Sequence, residues 1–248
     1  MNGLSSFPEP VHAVLIGHSG GVGGGLLRAL LDNSGVAHVT AGARRLVDLD
    51  HDKLQQVPID ISAESSVANF AIQVQKYGPP RLIIIATGLL HDGADHQPEK
   101  SWRGLNSAQL QRSFNVNVIG PALLAKHLLP LLPRKGKSVF AALSARVSSI
   151  SDNRLGGWYG YRASKAALNM IIKNLSLELV HRWPEAICVG LHPGTVNTLL
   201  SQPFQGNVAK DKLFSPGQSA EYLLSVIDDL TPEKSGALIA WDGAIIPF

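Results

Sequence analysis

Short apolar runs alternate with longer helical stretches along almost the whole chain, and this alternation constrains the fold more than any other feature. The runs are rich in β-branched residues and cover residues 11–17, 38–43, 81–88, 137–144, 186–192 and 237–241. Strands that are apolar along their whole length are buried on both faces, as in parallel sheets. The pattern therefore predicts a doubly wound α/β fold, with about seven strands in a parallel sheet and helices on both faces.

Five candidate helices lie between and after the predicted strands. Several begin with a serine or a nearby acidic residue, which can cap the free N–H groups of a first helical turn. Their predicted ranges are 23–33, 63–77, 107–132, 161–183 and 218–230. No internal repeat or low-complexity linker divides the sequence, so residues 1–248 are predicted to form one domain.

Composition narrows the class of protein. Apolar residues make up 45% of the sequence and charged residues 17%, as in soluble globular domains. The net charge is only +3 and no basic run exceeds Arg44-Arg45, so we expect no nucleic-acid partner. Cys188 is the only cysteine, which argues against disulfides and a thiol metal site and favours the cytoplasm. No apolar run is long enough to span a bilayer, so no membrane partner is expected. Without a thiol cluster, no bound metal is expected either.

A glycine-rich segment joins the first predicted strand to the first helix. Its glycines at positions 17, 21 and 23 form the pattern G-x-x-x-G-x-G. Such a turn presents backbone N–H groups and the positive end of a helix to a pyrophosphate. The alternative is a turn that only lets the helix pack closely, but the strand before it and the helix after it favour a dinucleotide site in a Rossmann fold. The candidate cofactor residues here are Gly17, Ser19, Gly21, Val22 and Gly23.

The end of the second predicted strand bears on the choice of cofactor. Where a carboxylate would hold a ribose 2′-hydroxyl, the sequence has Arg44 and Arg45. Two guanidiniums suit a 2′-phosphate by charge and by the geometry of their donors, so NADP(H) is preferred, with NAD(H) possible. The alternative is a solvated basic turn that Asp48 and Asp50 neutralise.

Tyr161 and Lys165 lie four residues apart, on one face of a predicted helix. A phenol with a pKa near ~10 is a poor acid–base catalyst at neutral pH, and an ammonium beside it is expected to lower that pKa. The pair is then suited to move a proton at a carbonyl or alcohol oxygen. Tyr-x-x-x-Lys arises often by chance, so the glycine turn upstream decides in favour of this interpretation.

With these two motifs the chain resembles the short-chain dehydrogenase/reductases over nearly its whole length. Segments such as Gly-Gly-Trp-Tyr at 156–159 and Trp-Asp-Gly at 241–243 resemble the C-factor-like and sniffer-like carbonyl reductases of that family. The resemblance implies an NADP(H)-dependent oxidoreductase that transfers a hydride between the nicotinamide and a small carbonyl or alcohol substrate. It also implies a homodimer or homotetramer.

The resemblance assigns roles to further residues. Asn117 matches the family's catalytic asparagine, whose carbonyl supports a water leading to the lysine; Tyr161 and Lys165 match its catalytic pair, and Lys165 would also hold the nicotinamide ribose. Where the family has a catalytic serine this chain has Ala145, with Ser144 as the first candidate to replace it and Ser148 as the second. The other cofactor positions implied by the resemblance are Asp60, Ile61, Ala86, Thr87, Gly88, Pro193, Gly194, Val196 and Thr198.

Two departures from the family pattern leave a second interpretation open. Ala145 replaces the catalytic serine, and Ile85-Ala86-Thr87-Gly88 occupies the place of the family's Asn-Asn-Ala-Gly segment, so both asparagines are missing. They motivate an NADP(H)-binding signalling or regulatory protein of the C-factor type with little catalysis. The retained asparagine, tyrosine and lysine argue against it.

Three long irregular segments follow predicted strands, at residues 91–104, 146–157 and 195–216. Long ordered loops at strand ends commonly build sites, so these segments are predicted to surround the substrate. Residues 195–216 form the predicted substrate-binding loop, which could close over a ligand. The candidate lining residues are His91, Arg146, Arg154, Trp158, His192 and Phe204. Their arginines and histidines favour a polar or anionic substrate.

Overall fold

Eight strands form one central sheet in the computed structural model, which describes residues 4–8, 10–206 and 208–248. In chain order the strands are β1 (Val11–Ile16), β2 (Val36–Ala43), β3 (Leu54–Pro58), β4 (Leu82–Ile85), β5 (Ser138–Leu143), β6 (Ala186–His192), β7 (Thr195–Val196), β8 (Leu213–Phe214), β9 (Leu238–Ala240) and β10 (Ile245–Ile246). The order in the sheet is β10-β9-β6-β5-β4-β1-β2-β3, and β10 runs antiparallel to β9. The short strands β7 and β8 pair with each other outside this sheet.

Helices cover both faces of the sheet, which confirms the predicted doubly wound α/β fold. They are α1 (Gly21–Leu31), α2 (Glu64–Gln75), α3 (Ser107–Phe114), α4 (Gly120–Leu128), α5 (Tyr159–Leu179) and α6 (Pro216–Asp228). Successive residues of a strand point to opposite faces. Accordingly, Ala13 and Leu15 of β1 pack with α1 and α6, whereas Val14 and Ile16 pack with α2, α4 and α5.

The predicted helix 107–132 is interrupted in the structure. Its α-helical path ends at Phe114, a π-helical turn covers Asn115–Ile119, and α4 then continues to Leu128 before a 3-10 turn over Leu129–Leu131. Pro121 explains part of this change, because proline has no N–H to donate to the carbonyl four residues before it. The interruption falls on Asn117, the predicted catalytic asparagine.

Two strands of the sheet were not predicted. β3 has the sequence Leu-Gln-Gln-Val-Pro and is only partly buried at one edge of the sheet, so it lacks the apolar run of a central strand. β10 is two residues long at the opposite edge. Both additions lie away from the middle of the sheet, where the order reverses between β1 and β4. Open α/β sheets bind ligands at the carboxyl ends of their strands near such a reversal.

Candidate active site

The turn between β1 and α1 depends on close approach of the backbone. Gly17 has a φ of +93°, a conformation that favours glycine. A Cβ at Gly23 would lie 2.1 Å from the Gly17 carbonyl oxygen, so α1 can approach the strand this closely only with glycine there. A Cβ at Gly21 would lie 2.3 Å from Thr198 Cγ2. The turn therefore brings the start of α1 against the loop that follows β6.

A cleft of about 700 Å³ begins at this turn and crosses the carboxyl edge of the sheet. Helix N-termini present N–H groups that have no partner within the helix, together with a partial positive charge. The predicted cofactor residues that line the cleft are Ser19, Gly21, Val22, Ala86, Thr87, Gly88, Tyr161, Lys165, Pro193 and Thr198. The cleft thus joins the glycine turn to the Tyr-Lys pair.

The cleft walls fit a dinucleotide. Thr87 Oγ1 is buried and has no hydrogen-bond partner among the described residues, although it stands on the cleft wall. A Cβ at Gly88 would lie 3.5 Å from Lys165 Nζ and 3.7 Å from Asn117 Oδ1, so this glycine gives access to both side chains. The hydroxyls and phosphates of a dinucleotide would supply partners for the threonine and for the first turn of α1.

The predicted outer part of the cofactor site lies beyond β2. Arg44 and Arg45 are both exposed there. Within the described ranges, neither arginine forms an ion pair with Asp48 or Asp50. The two guanidiniums are therefore accessible to an anion.

Asp60 and Ile61 follow β3 and have local structural roles. The Asp60 carboxylate accepts hydrogen bonds from the N–H and the hydroxyl of Ser62, at 2.9 and 2.6 Å. These bonds lower the pKa of Asp60, with a smaller contribution from Arg44. The Ile61 side chain is buried against Gly120, where an added Cβ would lie 2.7 Å from Ile61 Cδ1. Only the backbone of Ile61 is thus free to contact a cofactor.

Tyr161 and Lys165 both face the cleft from α5. Lys165 is 2% exposed, and its Nζ donates a hydrogen bond to the Leu143 carbonyl oxygen at 2.8 Å. The Nζ lies 6.0 Å from the centroid of the Tyr161 ring. The structure thus brings the predicted pair together beside the end of β5.

Burial governs the protonation of this pair. It lowers the pKa of Lys165 to about 8 and raises the pKa of Tyr161 to about 12. The structure therefore differs from the expectation of a lowered Tyr161 pKa, because burial disfavours the charged phenolate. At neutral pH Tyr161 is a neutral phenol and can act as a proton donor.

Asn117 is fully buried in the π-helical turn, and its side chain is occupied by structural contacts. Its Oδ1 accepts from the Leu89 N–H at 2.8 Å, and its Nδ2 donates to the Leu89 carbonyl at 2.9 Å and to Ser164 Oγ at 3.0 Å. The backbone carbonyl of Asn117 lacks its usual helical donor, because Pro121 has no N–H. Pro121 is the sequence signal that could have predicted a special carbonyl at position 117.

The two candidate serines are linked through Asn169. Ser144 Oγ donates to Asn169 Oδ1 at 2.7 Å, and Asn169 Nδ2 donates to Ser148 Oγ at 2.8 Å. Ser148 Oγ in turn donates to the Ala145 carbonyl at 2.6 Å. Ser144 lines the cleft together with Tyr161, whereas Ser148 does not line it. Ser144, and not Ser148, thus shares the cleft wall with the tyrosine.

A second cavity of about 480 Å³ adjoins the cleft at Ser144 and Tyr161. Trp158 and Phe204 form part of its wall, with ring centroids 4.8 Å apart. Gly194 and Val196, predicted to bind cofactor, line this cavity instead of the cleft. The other predicted linings Arg146, Arg154 and His192 also face it.

The predicted substrate-binding loop has its own anchors. β7 and β8 pair at its two ends, with Thr195 opposite Leu213. His91 supports the loop from outside the cavity, because its Nε2 lies 3.0 Å from the Leu199 carbonyl and its ring centroid 5.7 Å from that of Phe204. The loop therefore closes one side of the cavity.

Comparison with known proteins agrees with this geometry. The model of the short chain dehydrogenase family matches residues 11–208. The chain belongs to that family. C-signal of Myxococcus xanthus is 35% identical over 142 residues, which cover 57% of this chain and 80% of that protein.

Solved structures show the same fold as this short chain dehydrogenase. NADPH-bound carbonyl reductase from chicken fatty liver has a TM-score of 0.84 and 24% identity, covering 99% of this chain and 97% of the other. Carbonyl reductase Sniffer of D. melanogaster has a TM-score of 0.83 and 23% identity, covering 97% of this chain and 100% of the other. With C-signal, these matches confirm the predicted likeness to the C-factor-like and sniffer-like group.

The start of α5 in this dehydrogenase depends on Glu99, which the sequence-based predictions did not include. Glu99 is buried, and its Oε2 accepts a hydrogen bond from the Gly160 N–H at 3.0 Å. Trp158 precedes α5 with a φ of +52°, and its own N–H donates to the Glu99 carbonyl. A carboxylate at a helix N-terminus satisfies a free N–H and favours the helix dipole. Glu99 thus fixes the turn directly before Tyr161.

Two kinds of feature are absent from the described residues of this dehydrogenase. No helix among those residues is long and apolar enough to cross a membrane. They also contain no group of three or more His, Cys, Asp or Glu side chains that could hold a metal ion.

Proposed function

We propose that this dehydrogenase transfers a hydride between NADP(H) and a carbonyl or alcohol substrate. The observation that carries the proposal is the position of Tyr161 and Ser144 where the cleft meets the second cavity. A substrate in the cavity and a dinucleotide in the cleft would meet at these two side chains. In this proposal Lys165, which also lines the cleft, and the buried Asn117 complete the catalytic set.

In the direction of reduction, the Tyr161 hydroxyl donates its proton to the substrate oxygen. The nicotinamide, when bound, supplies the hydride that reduces the carbonyl carbon. Lys165 is largely protonated at neutral pH, since its pKa is about 8, and its charge stabilises the phenolate that the proton leaves behind. In this proposal the backbone carbonyl of Asn117, which has no donor at Pro121, holds a water that returns a proton through Lys165.

Ser144 has a more restricted role than a free catalytic serine. Its proton is engaged with Asn169 Oδ1, so it can donate to a substrate oxygen only after that bond breaks. Tyr161 is therefore the principal donor at the substrate oxygen in this proposal. Ala145, at the family's serine position, has no hydroxyl to add a second.

NADP(H) is the proposed cofactor because Arg44 and Arg45 stand exposed at the end of β2. Their guanidiniums suit the 2′-phosphate by charge and geometry. The chicken carbonyl reductase, which has a similar fold, binds NADPH. Thermal stabilisation by NADPH should therefore exceed that by NADH at equal concentration, because a tighter ligand stabilises the folded state more.

A cytoplasmic homodimer or homotetramer is the proposed form of the dehydrogenase. Met170, Leu177 and Val180 are more than half exposed along α5, so this helix offers an apolar surface for a second copy. Size-exclusion chromatography with light scattering would give the mass.

A regulatory protein with little catalysis is the second candidate. Ala145 and the engaged proton of Ser144 favour it, because both weaken the polarisation of a substrate oxygen. It predicts tight NADPH binding without turnover.

One assay separates the two candidates. NADPH oxidation would be followed with a panel of aldehydes, ketones and quinones, for the wild type and for Tyr161→Phe. We expect turnover by the wild type and a loss of roughly 10²–10⁴-fold in kcat for the variant, with NADPH binding retained. Full activity of Tyr161→Phe would remove the catalytic assignment, and NADPH binding with no turnover of any carbonyl would favour the regulatory function.

A further inference from the structure

The second cavity carries more positive charge than negative charge. Arg146, Arg154, Arg162 and Asp152 are its charged lining residues. Arg146 is neutralised by Asp152, whose Oδ2 lies 3.1 Å from Arg146 Nη2. Burial lowers the pKa of His192 to about 4, with a contribution from Arg146, so this imidazole is neutral at pH 7. Arg154 and Arg162 therefore remain as the uncompensated charges of the cavity.

Arg162 differs from Arg154 in its exposure and in its hydrogen bonding. Arg154 is exposed, and its Nη1 donates to the carbonyls of Ser151 and Asn153. Arg162 is only partly exposed, its Nη1 donates to the Val147 carbonyl at 3.1 Å, and its buried Nε has no partner among the described residues. A partly desolvated guanidinium without a carboxylate partner is costly. A ligand anion would offset that cost at Arg162 more than at the solvated Arg154.

The cavity wall is largely apolar by area. Leu90, Val147, Trp158, Val196 and Phe204 contribute to it. Such a wall favours a ligand with an apolar body. The neutral polar side chains that also line the cavity, such as Ser149 and Thr195, add hydrogen-bonding groups but no positive charge. One uncompensated, partly buried guanidinium matches a single negative charge.

We propose that Arg162 binds a carboxylate of the substrate. The substrate class is then a carbonyl compound with an apolar body and one carboxylate remote from the carbonyl carbon. Arg162 follows Tyr161 directly in the chain, so the two ends of such a molecule would be bound by adjacent residues of α5. The identification of a substrate class rests on the proposed oxidoreductase function, whereas carboxylate binding by Arg162 can be measured without turnover.

The test compares matched ligands that differ only in charge. As substrates, 4-formylbenzoate and 3-(4-formylphenyl)propanoate would each be compared with the methyl ester. As ligands without an aldehyde, 4-methylbenzoate and its methyl ester would be titrated into the protein saturated with NADP⁺. We expect at least one carboxylate to be preferred over its ester by about tenfold or more in kcat/KM, and 4-methylbenzoate to bind more tightly than its ester.

Three variants locate the effect. Arg162→Met should bring the carboxylate-to-ester ratio close to one in both measurements, and Arg162→Lys should retain much of the preference. Arg154→Gln removes the same charge from the exposed rim and should change the ratio less than about twofold, since solvent screens that site. If a substitution displaces the neighbouring Tyr161, the kcat/KM for the uncharged ester will fall as well, so the ratio corrects for that effect.

The outcomes separate the two proposals. A carboxylate-to-ester ratio of one in the wild type would overturn the inference about Arg162. So would an equal fall of this ratio in Arg162→Met and Arg154→Gln. Arg162-dependent binding of 4-methylbenzoate without reduction of any aldehyde would support the anion site and contradict the oxidoreductase function. Reduction of aldehydes without a preference for the carboxylate would support the oxidoreductase function and contradict the anion site.

Discussion

The cleft and the second cavity share Tyr161 and Ser144, but different parts of the protein form their walls. The cleft depends on backbone approach at Gly17 and Gly23 and on the buried side chain of Lys165. The cavity is formed mainly by side chains of the segments 146–157 and 195–216, including residues as exposed as Leu155, at 91%. Loops on a rigid scaffold can change without loss of the fold. Under the proposed function, the cleft would determine the class of reaction and the cavity would determine the substrate.

The largest expected effect tests whether the cleft truly depends on backbone approach. In Gly23→Ala the new Cβ would lie 2.1 Å from the Gly17 carbonyl oxygen, so α1 must move away from β1. Because the obstacle is backbone and not a flexible side chain, we expect a loss of about 3 kcal/mol in the free energy of unfolding. The affinity for NADPH should also fall. Urea unfolding and fluorescence titration with NADPH would measure the two quantities.

Gly24→Ala is the matched control for that change. A Cβ at Gly24 would have only ordinary contact with the His18 carbonyl oxygen, at 3.5 Å. Alanine also has the higher helix propensity, so this variant should gain up to about 1 kcal/mol. Equal behaviour of the two variants would show that the cleft tolerates a shifted α1, and the contrast with the cavity would be lost.

A second test concerns the buried charge of the cleft. Lys165 is 2% exposed without a carboxylate partner in the described ranges, and burial lowers its pKa from 10.5 to about 8. A lowering of the pKa by this amount means that the charged ammonium costs the folded state about 3 kcal/mol at neutral pH. Its hydrogen bond to the Leu143 carbonyl offsets about 1 kcal/mol of that cost. We therefore expect Lys165→Met to stabilise the cofactor-free protein by about 2 kcal/mol at pH 7 while it abolishes turnover.

The pH dependence gives this prediction a definite sign. Between pH 8 and 10.5 the unfolded lysine still holds its proton whereas the folded one has lost it. The unfolded state then binds more protons, so wild-type stability gains relative to the variant as pH rises through this range. The advantage of Lys165→Met over the wild type should accordingly shrink from pH 8 to pH 10 in parallel denaturation curves. A variant less stable than the wild type at pH 7 would contradict a costly buried ammonium.

The parts of the site that could be predicted from the sequence are those with local signals. Tyr161 and Lys165 are one helical turn apart, and the glycines of the turn follow a strand directly, so short spacing was enough to place them together. The alternation of apolar runs likewise predicted the central strands, but not β3, whose edge position leaves it partly polar.

The remaining features depend on contacts between distant parts of the chain. Glu99 reaches Gly160 across 61 positions, and no pattern in the sequence joins them. The raised pKa of Tyr161 follows from burial, which depends on the folded chain and not on the local sequence. Arg162 was not singled out because its lack of a partner appears only once the cavity wall is assembled.

The smallest expected effect lies where the cleft and the cavity meet, and it concerns the two serines. Ser144→Ala removes a hydroxyl that lines both spaces, but its proton is held by Asn169 and the family's serine position is already Ala145. We therefore expect kcat to fall about tenfold, less than the roughly 10²–10³-fold that loss of a free oxyanion donor causes.

Ser148→Ala is the matched comparison, since Ser148 is buried on the same hydrogen-bonded chain but lines neither space. It should lower the melting temperature, because Asn169 Nδ2 loses its acceptor, and leave kcat within about twofold of the wild type. Steady-state kinetics and thermal unfolding of both variants would decide between them. A larger loss of kcat in Ser148→Ala than in Ser144→Ala would assign the catalytic hydroxyl to Ser148. The substrate would then have to bind beside Ser148, and not where the cleft and the cavity meet.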